Sequence, residues 1–340
     1  MTSKFALTFK EGIFFCRLFV TDATSPNMRV LMGICFGGVC WIRSELLLTI
    51  HVSTPYDYNY VIENYFFITL NCSLYIVKRL HIKYVSIFIT MRFEDKVEQL
   101  RIKKHKGRET PEFLADVKAL TDGEAFEYLM GEVLFAGAKI DLSLRPMIPR
   151  SETEFWVKQI IEDIKNKKAE YILRCLDVFS GSGNVGIALL KNFPEAVVDM
   201  IEFDPKLKEQ IEISIIKNNI KKTRTRVVIG DCFEGAQGMY DIITAVPPYV
   251  SLQAKDEVMK ELKAENPLSF FDKEDGFYFH TKILTEAKKF LKPSGILYLE
   301  TDNDQVEKVK GIALSNGWTI SEVRNDPYGN PNLFVLTKIY

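Results

Sequence analysis

Three short stretches in the second half of the chain carry residues whose types and spacing suit chemistry. In LDVFSGSGNVGIALL (176–190), Gly181 and Gly183 let the main chain turn tightly and approach a ligand. The helix expected from about Asn184 would point free backbone N–H groups at that ligand. The loop has neither the dinucleotide fingerprint nor a Walker lysine, so it does not read as a phosphate cradle. Taken alone, the glycine pair fits a structural tight turn as well as a cofactor site. In VVDMIEFDP (197–205), Glu202 follows Asp177 by 25 residues, close to the spacing at which a strand-end carboxylate accepts two ribose hydroxyls. Asp231, in VVIGDCF (227–233), falls where the adenine edge of such a ligand would lie, although by itself it also suits a turn or cap.

The elements that must hold these residues alternate regularly after Lys168. Strands are expected at Tyr171–Phe179, Ala196–Phe203, Arg226–Gly230, Tyr240–Val246, Gly295–Glu300, Trp318–Arg324 and Leu333–Ile339, with amphipathic helices between most of them. That order gives an open, mainly parallel α/β sheet covered on both faces. Its ligand belongs beyond the carboxyl ends of the strands, where the strand order reverses. Upstream, FAGAKIDLSLRPMIP alternates as a β-hairpin does, and Ser151 opens a helix through Phe155, Trp156, Ile160 and Ile161. Residues 91 to 131 mix charges with apolar residues at helical spacing, with a helix start at Thr110-Pro111.

Composition narrows the function classes. The 340 residues carry a formal net charge of -1, with 26% charged and 47% hydrophobic residues, which excludes collagen, extended disorder and a disulfide-stapled miniature scaffold. With 44 basic against 45 acidic side chains there is no global field to hold nucleic acid. The charge is unevenly spread: residues 1 to 90 hold only 13 charged side chains, and also four of the six cysteines, without a steady period. Their longest apolar run, Val30 to Ile42, has thirteen residues between Arg29 and Arg43, short of the ~20 that a membrane span requires. The start does not fit a signal peptide. Four residues separate Cys35 from Cys40 and the four histidines are scattered, so no metal site is expected and the cysteines are read as free thiols of a reducing cytoplasm. The basic cluster Lys103 to Arg108 reads as a solvated helix face.

The order of GSG loop, strand-end acid, GDCF and DIITAVPPYV resembles a class I S-adenosylmethionine methyltransferase with an amino-methylating fourth motif. More closely, MIPRSETEFWV resembles the PRPETE signature of the PrmC (HemK) family, which methylates the glutamine of the GGQ motif in peptide chain release factors. EYLMGEVLFAG, ENPLSFFDKEDGF and LETDNDQ are similar to further segments of that family, and the likeness runs in order over roughly residues 125 to 340. It implies a seven-stranded, mainly parallel, Rossmann-like sheet with a small helical segment and a hairpin linker in front. It assigns S-adenosylmethionine to Asp177, Phe179, Ser180, Gly181, Ser182 and Gly183, with Glu202 on the ribose and Asp231 and Cys232 beside the adenine. It assigns the substrate amide to Val246, Pro247, Pro248 and Tyr249. Prolines leave carbonyls free to accept from an NH2 group, and Tyr249 would offer a flat wall to the planar amide. No buried histidine or lysine is expected nearby, so catalysis is read as positioning without a strong base.

Three residues depart from the family pattern. Phe179 replaces a glycine of the loop, and Asn332 stands where the closing segment has an arginine. Val246 replaces the asparagine of NPPY, losing an acceptor worth about 1–3 kcal/mol, or roughly 10- to 100-fold in rate if felt only in the transition state. Two other readings stay open. One is an amino-methyltransferase acting on a nucleic-acid base, for which KKTRTR (221–226) is the only concentrated basic candidate and more simply a solvated turn. The other is a cofactor-binding module impaired at Val246.

The organisation taken forward has four parts. Residues 1–90 form an unassigned hydrophobic extension, read as text upstream of a misplaced start at Met91 or as a partner-binding domain. Residues 91–135 form a helical substrate-recognition segment, 136–170 a hairpin and linker helix, and 171–340 the methyltransferase domain. The expected partner is a peptide chain release factor, met by a cytoplasmic monomer without membrane or direct nucleic-acid contact.

Overall fold

A computed structural model describes residues 93–166, 173–255 and 265–338, together with six strands in the first ninety residues. The chain divides into two compact units, Met1–Lys96 and Val97–Tyr340. In the first, β1 (Thr2–Phe9), β2 (Gly12–Val20), β3 (Arg29–Phe36) and β4 (Val39–Leu47) form an antiparallel sheet in chain order, and β5 (Ile68–Asn71) pairs with β6 (Tyr84–Ile87). The apolar run Val30 to Ile42 is thus divided between β3 and β4, with Cys35 opposite Cys40 in register. Continuous apolar runs are compatible with strands, and they hide the two-residue period that the sequence reading sought.

Helical pieces span the boundary and open the second unit. The helix Phe93–Gln99 runs into a π-helical turn, Leu100–Lys104, and the helix Pro111–Thr121 is capped by Thr110, whose hydroxyl accepts from Phe113 N at 3.3 Å. The helix Phe126–Met130 ends at a left-handed Gly131, and the hairpin of β7 (Glu132–Phe135) and β8 (Ala138–Asp141) follows at once. Its first strand therefore begins ahead of the expected boundary at residue 136. The helix Ser151–Asn166 comes next.

A seven-stranded sheet in the order β11-β10-β9-β12-β13-β15-β14 forms the centre. It contains β9 (Arg174–Val178), β10 (Val197–Glu202), β11 (Thr225–Ile229), β12 (Tyr240–Ala245), β13 (Leu291–Glu300), β14 (Trp318–Asn325) and β15 (Pro331–Lys338). The first five strands in that order through β13 are parallel, and β15 is antiparallel to both β13 and β14. This is the class I methyltransferase fold. Alternate strand residues feed two buried clusters on opposite faces. Cys175, Val198, Met200 and Ile242 join Trp156, Ile187 and Ile211, while Leu176, Ile201, Ile243 and Leu297 join Ile283, Val309 and Trp318. Trp156 is fully buried, and truncating such a residue to alanine costs about 3–5 kcal/mol.

Strand order reverses between β9 and β12, so a crevice opens at their carboxyl ends. Among the described residues no helix is long and apolar enough to cross a membrane. At Asn332 the departure from the family pattern leaves a mark: its side-chain oxygen is buried without a hydrogen-bond partner. A buried orphan of this kind costs about 1–3 kcal/mol.

Candidate active site

Beyond β9 the chain makes the tight loop that the two glycines announce. Phe179, Gly181 and Gly183 all have positive φ, at 61°, 54° and 78°. Ser180 N donates to Ile201 O at 3.0 Å and Ser180 Oγ to Asp177 O at 2.9 Å, which ties the loop to the ends of both neighbouring strands. The helix Asn184–Asn192 starts directly after Gly183. Phe179 pays for its left-handed backbone with about 1–2 kcal/mol, which explains why a glycine suits the position. Its ring meets Phe279 edge-on with centroids 5.0 Å apart, a contact worth about 0.5–1.5 kcal/mol that offsets much of the strain.

Three carboxylates surround the loop. Asp177 is buried, accepting from Thr244 Oγ1 at 2.7 Å and from Gly186 N at 3.1 Å; burial raises its pKa to about 7 against the pull of those bonds. Glu202 accepts Gly181 N at 2.7 Å on one oxygen and Asp204 N at 2.8 Å on the other, and burial raises its pKa too. Its two oxygens offer about four lone-pair sites, which leaves room for a ligand hydroxyl beside the main-chain N–H groups of Gly181, Phe203 and Asp204. At Asp231 burial alone would raise the pKa, but Lys282 at 3.0 Å and Lys273 at 3.3 Å hold it below the ordinary value. Cys232 has φ 60° and a thiol that burial pushes up to about 12.

The chain leaves β12 through Val246, Pro247, Pro248 and Tyr249. Among the described residues, no donor reaches the carbonyl oxygens of Val246, Pro247 or Pro248. Tyr249 is fixed from behind: Gln305 Nε2 donates to its carbonyl at 2.8 Å, and its hydroxyl lies 3.4 Å from Glu300 Oε1. Burial, reinforced by the Glu300 charge, raises the Tyr249 pKa far above the usual tyrosine range. Contrary to the sequence expectation, a buried histidine does stand beside this turn. His280 has its ring 6.3 Å from that of Tyr249, with Nδ1 3.3 Å from Gly276 O and Nε2 3.1 Å from Glu300 O. Burial lowers its pKa, and both nitrogens face carbonyl oxygens, so it serves as a brace rather than a base.

One cavity of about 180 Å³ gathers most of these residues. Asp177, Phe179, Ser180, Gly181, Ser182, Glu202 and Asp231 line it, and so do Val246 and Pro248. Gly183, Cys232, Pro247 and Tyr249 stand outside the lining: Gly183 is taken up as the helix cap, and Tyr249 is turned toward Glu300. The wall assigned to Tyr249 is therefore not part of the cavity surface in this structure. A Cβ placed on Gly181 meets no protein atom within 4 Å, so the loop backbone faces open space there. Open backbone, a buried carboxylate with spare lone pairs and flanking Phe203 and Leu207 together fit a nucleoside with vicinal hydroxyls.

Several residues of the site were not picked out from sequence. Met147 to Arg150 and Thr153 line the cavity from the linker, and Asn266, Leu268, Phe271 and Lys273 line it from the other side. A buried Glu265 joins these two walls, accepting from Arg150 Nη2 at 2.7 Å and Ile148 N at 2.9 Å. Both segments carried family-like text, which was the available signal, but no spacing rule says that they meet. The basic run 221–226 is largely engaged within the fold: Arg224 donates to three main-chain carbonyls, of Leu190, Phe193 and Ala196, and Arg226 pairs with Asp199 at 3.0 Å.

The sequence has recognisable relatives among known proteins. Residues 157–273 match the family model described as the methyltransferase small domain. A release factor glutamine methyltransferase from Thermodesulfovibrio yellowstonii is 31% identical over 249 residues, covering 72% of this chain and 88% of the relative. One from Streptococcus pneumoniae is 32% identical over 196 residues, covering 56% and 67%. Among solved structures, a methyltransferase from Pyrococcus furiosus aligns with a TM-score of 0.42 at 19% identity, over 70% of this chain and 100% of the other.

Proposed function

The chain belongs to the release factor glutamine methyltransferase family, and we propose that it methylates the side-chain amide nitrogen of the glutamine in the GGQ motif of peptide chain release factors. It is a methyltransferase, and its family implies use of S-adenosylmethionine. When bound, that cofactor supplies a methyl group on a cationic sulfur. The observation that carries the reading is the meeting, in one cavity, of the Glu202-anchored glycine loop with Val246 and Pro248 of the proline turn.

The protein's own groups do the positioning. Ser180 to Ser182 and Glu202 hold the nucleoside and Asp231 its adenine edge. The unpaired carbonyl at Pro247 accepts one amide hydrogen, which orients the nitrogen for in-line attack. Val246 offers only apolar contact and packs against the core cluster that contains Trp156. The Glu202 carboxylate lies in the same cavity and, when ionised, favours a cationic ligand over the neutral product.

The test is incubation with S-adenosylmethionine labelled in its methyl group, together with either a release factor or RNA. Label on the release factor that disappears when its GGQ glutamine is replaced supports the reading. Label on RNA, or on neither acceptor while the cofactor still binds, contradicts it.

A further inference from the structure

The loss of an acceptor at Val246 raises two questions: which atom takes the second amide hydrogen, and where the proton goes once nitrogen is methylated. The structure offers one arrangement that meets both needs. Thr153 lines the cavity together with Val246 and Pro248, and is itself only 4% exposed. Its hydroxyl donates to Glu300 Oε2 at 2.7 Å, and Trp156 Nε1 donates to the same oxygen at 2.5 Å. A hydroxyl has one proton and two lone pairs, so a Thr153 whose proton is committed to Glu300 presents acceptor character to the cavity. Glu300 is 4% exposed, and among the described residues no lysine or arginine forms an ion pair with it.

We propose that Thr153 accepts the N–H of the substrate amide and that Glu300, one hydrogen bond behind it, takes up the proton the amide loses. This inference rests on the glutamine reading above and deepens it. As the nitrogen–methyl bond forms, the methyl–sulfur bond breaks and its electron pair stays on sulfur. The N–H bond also breaks: its proton moves to Thr153 Oγ1 while the hydroxyl proton passes to Glu300 Oε2. The positive charge of the sulfonium and the negative charge of the carboxylate thus disappear in the same step. No net charge is left on the buried Thr153–Glu300 pair, where an unpaired ion is costly.

The surroundings of Glu300 suit a proton acceptor. Burial raises its pKa, against the hydrogen bonds from Trp156, Thr153 and Tyr249, and the charge of Glu152 adds to the rise. Tyr249 faces it with a hydroxyl whose own pKa is driven far up, and Asp302 lies close enough to contribute to that rise. His280 faces the Glu300 main chain with its pKa lowered by burial. Glu300 acts only when ionised, so the rate should climb as pH rises through its raised pKa and level off above it.

The experiment compares the full chain with Glu300→Gln, Thr153→Val and Thr153→Ser, using single-turnover methylation of a release factor across pH. Glutamine can still accept from Trp156 and Thr153 through its one oxygen but cannot take a proton. Glu300→Gln should lower the rate about 100-fold and flatten the acidic limb, while calorimetric affinity for S-adenosylmethionine stays within about threefold. Thr153→Val should fall similarly, and Thr153→Ser should recover most of the loss. Infrared spectra of the protein without cofactor should contain a titrating carboxylic-acid band that Glu300→Gln removes. A Glu300→Gln rate close to wild type, a reduced rate with the acidic limb intact, or Thr153→Ser as impaired as Thr153→Val would overturn the proton route. If Glu300→Gln does not fold, the two Thr153 variants decide the matter. A wild type that leaves the release factor unlabelled overturns the functional reading itself, whereas a labelled release factor with an indifferent Glu300→Gln overturns only this inference.

Discussion

Replacing Glu202 with glutamine probes both jobs that the structure gives this side chain. The carboxylate accepts the main-chain N–H of Gly181 at 2.7 Å and of Asp204 at 2.8 Å while only 8% exposed. Glutamine has the same length but a single acceptor oxygen, so one of the two N–H groups must face an NH2 group instead. A buried donor left in that state costs about 1–3 kcal/mol. At about 2–4 °C per kcal/mol for a unit of this size, unfolding should occur about 2–12 °C lower. The lower half of that range is expected, because burial already disfavours the charge that the substitution removes. The cofactor loses one charge-assisted bond to ribose at the same time, worth about 1.5–3 kcal/mol, so its Kd should rise about 10- to 100-fold. Scanning calorimetry without cofactor measures the first effect, and titration calorimetry with S-adenosylmethionine the second. A Glu202→Gln protein with unchanged melting and unchanged Kd would refute the placement of Glu202 at the loop and on the ribose.

Three further predictions follow from neighbouring residues. Gly276 has φ 95°, and an added Cβ would lie 2.7 Å from Tyr249 O, so Gly276→Ala should displace the proline turn and lower kcat about 10- to 100-fold. Cofactor Kd should hardly change, and a calorimetric loss of binding equal to the loss of rate would contradict this division of labour. Val246→Asn restores an acceptor, so its single-turnover rate should match or exceed wild type; a steep fall would show that the apolar contact is itself required. Asp177 has a folded pKa near 7, above its unfolded value of about 3.8, so its contribution to stability is fully present below pH 4 and is lost as pH rises toward 7. The melting temperature of Asp177→Asn relative to wild type should therefore rise across that window and stay flat above it, and a difference independent of pH would argue against the buried proton.

Much of the sheet and part of the site were legible in the sequence because each rests on local signals. The strand at Tyr240 and those at Val197, Thr225 and Trp318 announce themselves by apolar runs between turn residues, and the glycine loop by its spacing from Asp177. The strand ending at Glu300 was read too short, since Pro293 and Gly295 look like breakers although Leu291 already pairs with Tyr240. The carboxylates at Asp177 and Glu202 were found by position, but what holds them was not: Thr244 on Asp177 lies 67 residues away and reaches it only because β9 and β12 are neighbours. For the same reason His280 escaped notice, as did the pairing of Thr153 and Trp156 with Glu300 across almost half the chain. A hydrogen bond between distant residues leaves no period in the sequence. The first ninety residues differ because their composition shift was visible while their strands were not.

The most direct test of the central claim is mass spectrometry of release-factor peptides that contain the GGQ motif, from cells with and without this protein. The account predicts one added methyl group on the glutamine side chain when the protein is present and its loss when the protein is removed, with recovery on re-expression. A GGQ glutamine that is equally methylated, or equally unmethylated, in both kinds of cell would contradict it.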